Sequence, residues 1–303
     1  MRVAYLGTSN FAATVLRRMA DSPARPVLVV TPPDRPKGRG RKLSPPPVAA
    51  AARELGLPVH QTASVNQPES VAELERAGVD VAMVCAFGQL IKPPLLDDLL
   101  FLNVHPSLLP RWRGAAPIER AIMAGDERTG VAVMRLTEGL DSGPIALLEE
   151  TPIGPDEDYG SLAQRLAEMG GELAVRALEA HERGELAFTE QDEAGVTYAE
   201  KIEPAERRLD PARPAAELAR VVRALTPHIG VFLELEGGDR LGVRRARAVP
   251  GGPAQGEFEA ADGALVLGTG EGALAIEVVR PAGGRDVSAA DYLRGHPLPA
   301  LAS

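Results

Sequence analysis

The sequence predicts an α/β fold, a Rossmann-like and mostly parallel open sheet, followed by a small C-terminal β-barrel domain of the oligonucleotide-binding (OB-like) type. Two observations predict the first half. Apolar runs of strand length alternate with segments whose apolar residues recur at helical spacing. The run 79–86 is almost continuously apolar, as a strand covered on both faces should be. The second half rests on a change of pattern: beyond residue 207 short strand-like runs are separated by Gly-rich turns.

In chain order, runs 2–8 and 26–31 flank a segment with Phe11, Val15, Leu16 and Met19 on one helical face, a β-α-β unit. Its first turn, Gly7-Thr8-Ser9-Asn10, lacks the G-x-G-x-x-G spacing of a dinucleotide site and reads as a strand-to-helix turn capped by Ser9 or Asn10. Strands follow at 79–86 and 101–105, then a helix around 118–124 and strands near 129–137 and 144–150. Ser161 and Gln164 have capping-box spacing ahead of a stripe of Leu162, Leu166, Met169, Leu173 and Leu178. The stretch 184–207 has no periodicity and reads as a linker. Beyond it lie a helix with Leu218, Val221, Val222 and Leu225 and strands near 231–235, 241–249, 264–267 and 273–279. The expected domains are therefore 1–184, a linker 185–207, and 208–303.

At 303 residues with 45% apolar and 25% charged content, the chain is that of an ordinary globular protein rather than a disordered or fibrous one. The single cysteine, Cys85, rules out a disulfide framework and fits a small core residue in a reducing cytoplasm. No run approaches the roughly 18 apolar residues of a membrane helix, and the N-terminal apolar run is too short for a signal peptide. The net charge of −9 means that any contact with nucleic acid must come from local patches.

The richest polar constellation is Asn103-Val104-His105-Pro106-Ser107. Strand alternation sets Phe101, Asn103 and His105 on one face, and Pro106 ends the strand. An amide and an imidazole at the carboxyl end of a sheet strand suit acyl transfer, one donating to an oxyanion and the other moving a proton. They fit equally well a core polar pair satisfied by backbone. A second feature is the tight loop 137–144, in which glycines and a proline bracket Asp141. That carboxylate either orients an imidazole or caps local backbone. One His and one Asp are too few ligands for a metal site.

The segment 103–117 (N-V-H-P-S-L-L-P-R-W-R-G-A-A-P), with Gly139-Leu140-Asp141-Ser142-Gly143, closely resembles the formyltetrahydrofolate-dependent formyltransferases over nearly the full length. The resemblance implies Asn103, His105 and Asp141 as the catalytic trio. It implies a folate site walled by Ser107, Leu108, Leu109 and Pro110 and by Phe87, Gly88 and Leu90 of the 86–91 segment. It also implies 10-formyltetrahydrofolate as donor co-substrate, with no tightly bound cofactor. Residues 111–117 and the terminal domain resemble the members that formylate methionyl initiator tRNA. The loop 32–45, with Arg35, Lys37, Arg39, Arg41 and Lys42, is similar to the insertion with which those members grip RNA. Formylation of a small amine, such as an amino-sugar nucleotide or glycinamide ribotide, is the alternative. The expectation is a cytoplasmic monomer. Two features of the terminal domain depart from a clean RNA surface. Its 12 Arg are matched by 13 Asp plus Glu from residue 205 on. Arg245 and Arg247 are also expected to share a strand face with Val243, and Arg244 to face the other way.

Overall fold

The computed structural model describes residues 1–37 and 42–302, with Lys37 by its backbone alone. The chain divides into two compact units that are interleaved in sequence. One comprises Met1–Pro117, Arg128–Pro152 and Ala163–Ala199, and the other Ile118–Glu127, Ile153–Leu162 and the chain from Glu200 onward.

The first unit is built from β1 (Val3–Gly7), α1 (Asn10–Ala20), β2 (Leu28–Thr31), β3 (Arg35–Lys37), β4 (Lys42–Ser44), α2 (Pro47–Glu54), β5 (Val59–Gln61) and α3 (Pro68–Arg76). There follow β6 (Val81–Cys85), a single-turn α4 (Leu95–Asp98), β7 (Leu100–His105), β8 (Arg113–Gly114), α5 (Pro117–Ala124), β9 (Arg128–Arg135), β10 (Ile145–Pro152), α6 (Tyr159–Glu182) and β11 (Tyr198–Ala199). All of α5 after Pro117, and the start of α6 up to Leu162, belong to the second unit. Seven strands form one sheet in the order β10-β9-β7-β6-β1-β2-β5. From β5 to β7 neighbouring strands pair in parallel, whereas β9 is antiparallel to β7 and β10 to β9.

From β1 the chain builds outward through β2 and β5, then returns to the other side of β1 for β6 and β7. This reversal opens a crevice at the carboxyl ends of β1 and β6, the place where open α/β sheets bind ligands. The central strands β1, β2 and β6 are buried at every residue, which explains their unbroken apolar runs. Ser9 caps α1, its Oγ accepting from the Ala12 N–H at 3.2 Å.

Two local expectations need correction. Helix α6 begins at Tyr159, not Ser161, because Asp158 provides the cap: its Oδ1 accepts from the Ser161 N–H at 2.9 Å. Gln164 bonds Glu168 instead of reaching back. The 32–45 connection is also not wholly a loop, since β3 and β4 pair as a two-stranded antiparallel ribbon.

In the second unit, α7 (Ala215–Leu225) packs on an antiparallel sheet of β12 (Val231–Glu234), β13 (Arg240–Val249), β14 (Phe258–Ala261), β15 (Ala264–Gly268), β16 (Ala273–Arg280) and β17 (Val287–Ser288), before α8 (Ala289–Gly295). Strands β14 and β17 were not anticipated, for neither carries a strong apolar run.

The reading of β13 also needs correction. Val243 and Ala246 are buried while Arg245 is exposed. The register shifts on either side of Arg245, with an extra residue first in β13 and then in β16, and the strand alternation slips there. The arginines of this strand also meet carboxylates. Arg245 and Arg247 lie 2.6 and 3.4 Å from Glu277, Arg240 lies 3.6 Å from Glu234, and Arg244 lies 3.3 Å from Asp286. The run is thus cross-strand neutralised rather than a bare basic stripe.

Arg120 of α5 grips Glu206 through both carboxylate oxygens and donates to the carbonyls of Glu200 and Lys201. The hydrogen bond from Arg120 holds the Glu206 carboxyl below its ordinary value. A depressed carboxyl contributes stability above its unfolded pKa and loses it as pH falls through the folded value. Glu206→Gln is therefore expected to lower neutral-pH stability by about 0.5–1 kcal/mol. In urea melts taken at successive pH values, the difference from the parent should shrink as pH drops below about 4. An unchanged difference at low pH would contradict the assignment.

Candidate active site

Asn103 and His105 lie two residues apart on β7, 8% and 4% exposed, and the chain after Pro106 turns so that the Trp112 carbonyl comes back to the His105 ring. The Asn103 amide makes no side-chain hydrogen bond to another described residue. His105 is held differently. Its Nε2 lies 2.9 Å from the Trp112 carbonyl oxygen. A carbonyl only accepts, so Nε2 carries the hydrogen, and Nδ1 is the ring atom left to exchange a proton. Asp141 faces that atom, with Oδ2 at 3.9 Å from Nδ1, beyond direct hydrogen-bond range.

Each partner of the imidazole is fixed in turn. Trp112 has φ +63°, and its N–H donates to Thr197 Oγ1 at 2.9 Å, which aims its carbonyl at the ring. Asp141 sits at φ +45°, a left-handed conformation that Asp tolerates better than most side chains. Its Oδ2 accepts from the Gly114 N–H at 2.9 Å. Gly114 has φ +125°, and a Cβ there would lie 2.7 Å from the Ala199 carbonyl oxygen. Only glycine fits this turn. Strand β8 pairs with β11, which seats residues 113 and 114 beside 198 and 199.

Gln191, Thr197 and β11 all come from the stretch expected to be a linker, and they escaped notice for a physical reason. The segment has no apolar period, and its partners lie 48 to 85 residues away along the chain. Arg113 is 3% exposed; its Nε donates to Gln191 Oε1 at 3.0 Å and its Nη2 to Glu193 at 3.1 Å. The one available signal was a polar Gln followed by Thr-Tyr-Ala in a segment too long to be a plain connector.

The expected folate-site residues divide into wall and surface. Ser107 is fully buried, and its Oγ donates to the Arg111 carbonyl at 2.7 Å, so it shapes the turn. Leu109 packs with Ala132 and Met134. Leu108 lies over Gly130, and Pro110 follows a cis peptide bond. Phe87 is buried, Gly88 has φ +76°, and Leu90 is exposed. The 86–91 segment is anchored at three points: Thr8 Oγ1 donates to the Phe87 carbonyl, Gln89 Nε2 donates to the Thr62 carbonyl, and Gln89 Oε1 accepts from the Val65 N–H.

Cys85 closes β6 but is no nucleophile, since burial pushes its thiol up to about 12. Arg35 and Lys42 are exposed on the β3–β4 ribbon. Arg39, Arg41 and the Lys37 side chain lie outside the described residues.

Two family models match the chain: formyl transferase over residues 1–178 and the formyl transferase C-terminal domain over residues 201–297. The chain belongs to the formyl transferase family. Curated relatives in this family extend along the whole molecule. The methionyl-tRNA formyltransferase of Halorhodospira halophila is 45% identical, covering 98% of this chain and 97% of its own. That of a Methylobacterium species is also 45% identical, with the same coverage.

Solved structures share the fold. HypX from Aquifex aeolicus, in complex with tetrahydrofolic acid, has a TM-score of 0.65 at 20% identity, over 97% of this chain and 47% of its own. WlaRD, a sugar 3N-formyl transferase, has a TM-score of 0.67 at 15% identity, over 91% of this chain and 97% of its own. The expected fold class, a Rossmann-like and mostly parallel sheet followed by a small C-terminal β-domain, is borne out by family models and fold alike, the domain expected as an OB-like barrel being a six-stranded antiparallel sheet. No helix among the described residues is long and apolar enough to cross a membrane.

Proposed function

We propose that this chain transfers the formyl group of 10-formyltetrahydrofolate to the α-amino group of methionyl initiator tRNA, for translation initiation. The observation that carries the reading is full-length likeness, at 45% identity, to relatives named for that reaction. Asn103, His105 and Asp141 converge at one strand end and can perform it.

In the proposed mechanism the neutral α-amine of the aminoacyl ester attacks the formyl carbon carried on N10. The carbonyl electrons move onto oxygen, where the Asn103 N–H donates to the oxyanion. The ammonium of the tetrahedral adduct yields a proton to Nδ1 of His105, which the Asp141 carboxylate faces at 3.9 Å. Nδ1 then returns the proton to N10 as the C–N10 bond breaks, releasing tetrahydrofolate and formyl-methionyl-tRNA. The Trp112 carbonyl keeps the ring in the tautomer this relay requires.

The segments 86–91 and 107–110 form the walls of the folate site, through Phe87, Gly88, Leu90, Ser107, Leu108, Leu109 and Pro110. Arg35, Lys37, Arg39, Arg41 and Lys42 bind tRNA phosphates. The proposed working division is a catalytic domain 1–184, a linker 185–207 and a tRNA-binding domain 208–303. The protein acts as a cytoplasmic monomer.

The test is an acceptor comparison with 10-formyltetrahydrofolate as donor, offering methionyl initiator tRNA, elongator methionyl-tRNA, free methionine and an amino-sugar nucleotide. The initiator species is expected to be formylated with a kcat/KM at least about 100-fold above the others. Faster formylation of the small amine would overturn the tRNA assignment.

A further inference from the structure

Gln191 is 9% exposed and its amide is fully committed. Nε2 donates to the Asp141 carbonyl at 2.8 Å and to the Gly143 carbonyl at 2.7 Å, while Oε1 accepts from Arg113 Nε at 3.0 Å. Asp141 is thereby held at two points: Gln191 pins its backbone and the Gly114 N–H pins its carboxylate. Residues 113 and 114 are adjacent, so one short strand, β8, carries both the guanidinium that fixes Gln191 and the amide that fixes Asp141 Oδ2.

We propose that Gln191 is a positioning residue for formyl transfer, setting the Asp141 carboxylate against His105 Nδ1 through the backbone of the 137–144 loop. The proposal rests on the catalytic reading of Asp141 given above. A left-handed Asp in a loop with two glycines has many alternative conformations, and none of its own side-chain bonds restrains its carbonyl. Gln191 supplies that restraint from a segment 50 residues away. Glutamine suits the task because it alone among the uncharged side chains of this length offers two donors and one acceptor in one plane. Glutamate would keep the acceptor for Arg113 but set an oxygen against the carbonyls of Asp141 and Gly143.

The experiment is a double-mutant cycle on the full-length enzyme with Gln191→Ala, Gln191→Glu, Asp141→Asn and the combined Asp141→Asn/Gln191→Ala, reading kcat, KM for both substrates, and Tm. Gln191→Ala and Gln191→Glu are each expected to lower kcat about 10- to 100-fold, with both KM values little changed, as for a displaced reacting group. The Gln191→Glu protein should keep more of its Tm than Gln191→Ala, because its carboxylate still accepts from Arg113. On the Asp141→Asn background, adding Gln191→Ala should cost less than about twofold more, because the two act as a unit.

A parent-like kcat in Gln191→Ala, or its full effect repeated on the Asp141→Asn background, would overturn the inference and leave the role of Asp141 standing. A parent-like kcat in Asp141→Asn itself would overturn the catalytic reading, and this proposal with it. If both Gln191 variants unfold below the assay temperature, Gln191 serves the fold and not the positioning of Asp141.

Discussion

Asn103→Ala is expected to lower kcat by about 100- to 1000-fold with little change in KM, the usual consequence of losing an oxyanion donor. Stability should barely move. The Asn103 amide bonds no other described side chain or carbonyl, so its removal leaves no buried group stranded. His105 requires a different variant. Alanine there would remove the Nε2 donor from the part-buried Trp112 carbonyl, and the loss of one such hydrogen bond costs about 0.5–1.5 kcal/mol. His105→Gln offers an amide N–H to that carbonyl yet cannot relay a proton. It should therefore retain a near-parental Tm while losing about 100-fold or more in kcat. Steady-state kinetics beside thermal melts separate the two effects. A His105→Gln enzyme with parental turnover would exclude the imidazole from the chemistry.

The second large effect is expected at Gly143, and it comes from geometry alone. A Cβ placed there would lie 1.9 Å from the Arg135 carbonyl oxygen and 3.1 Å from its carbonyl carbon. Both are backbone atoms; Arg135 ends β9, where its N–H bonds the Pro144 carbonyl at 2.9 Å. Neither side can yield without moving the sheet edge or the loop. Gly143→Ala should therefore cost about 1–3 kcal/mol, the range for overpacking a well-ordered site. Because the loop carries Asp141, kcat should fall by about 100-fold even at temperatures where the variant is folded. Gly139→Ala is the natural control. Its Cβ would meet chiefly the Ser142 Oγ at 2.2 Å, the end of a small side chain that can rotate away. A milder effect at Gly139 than at Gly143, measured by melts and kinetics together, is the expected ordering.

Much of the catalytic unit is legible in the sequence because burial writes a simple pattern. The central strands are covered on both faces and read as apolar runs, and Asn103 and His105 stand out as polar side chains at the end of one of them. Asp141 is legible from its glycine-bracketed loop. What connects these residues is not, because it is made of backbone. The Trp112 carbonyl, the Gly114 amide and the carbonyls of Asp141 and Gly143 are present in any sequence, and only a fold reveals which of them meet. Gln191 escaped because one polar residue in an aperiodic stretch carries no period to detect. The basic 32–45 segment reads as a loop because its ribbon has exposed polar strands with no core face. Arg245 shows the limit of alternation, since one inserted residue turned it from the face of Val243 out to solvent. The pairing of the β13 arginines with Glu234, Glu277 and Asp286 is likewise a cross-strand property that charge counts hint at but cannot locate.

One measurement bears most directly on the proposed chemistry: a single-turnover reaction with enzyme in excess of methionyl initiator tRNA and saturating 10-formyltetrahydrofolate, followed by quantification of every formyl carbon. Equal yields of tetrahydrofolate and N-formyl-methionyl-tRNA are expected, appearing with one rate constant that falls in the Asn103→Ala enzyme. Tetrahydrofolate released with formate, and no formyl on the aminoacyl group, would show that water rather than the α-amine attacks the formyl carbon, and would contradict the proposed transfer.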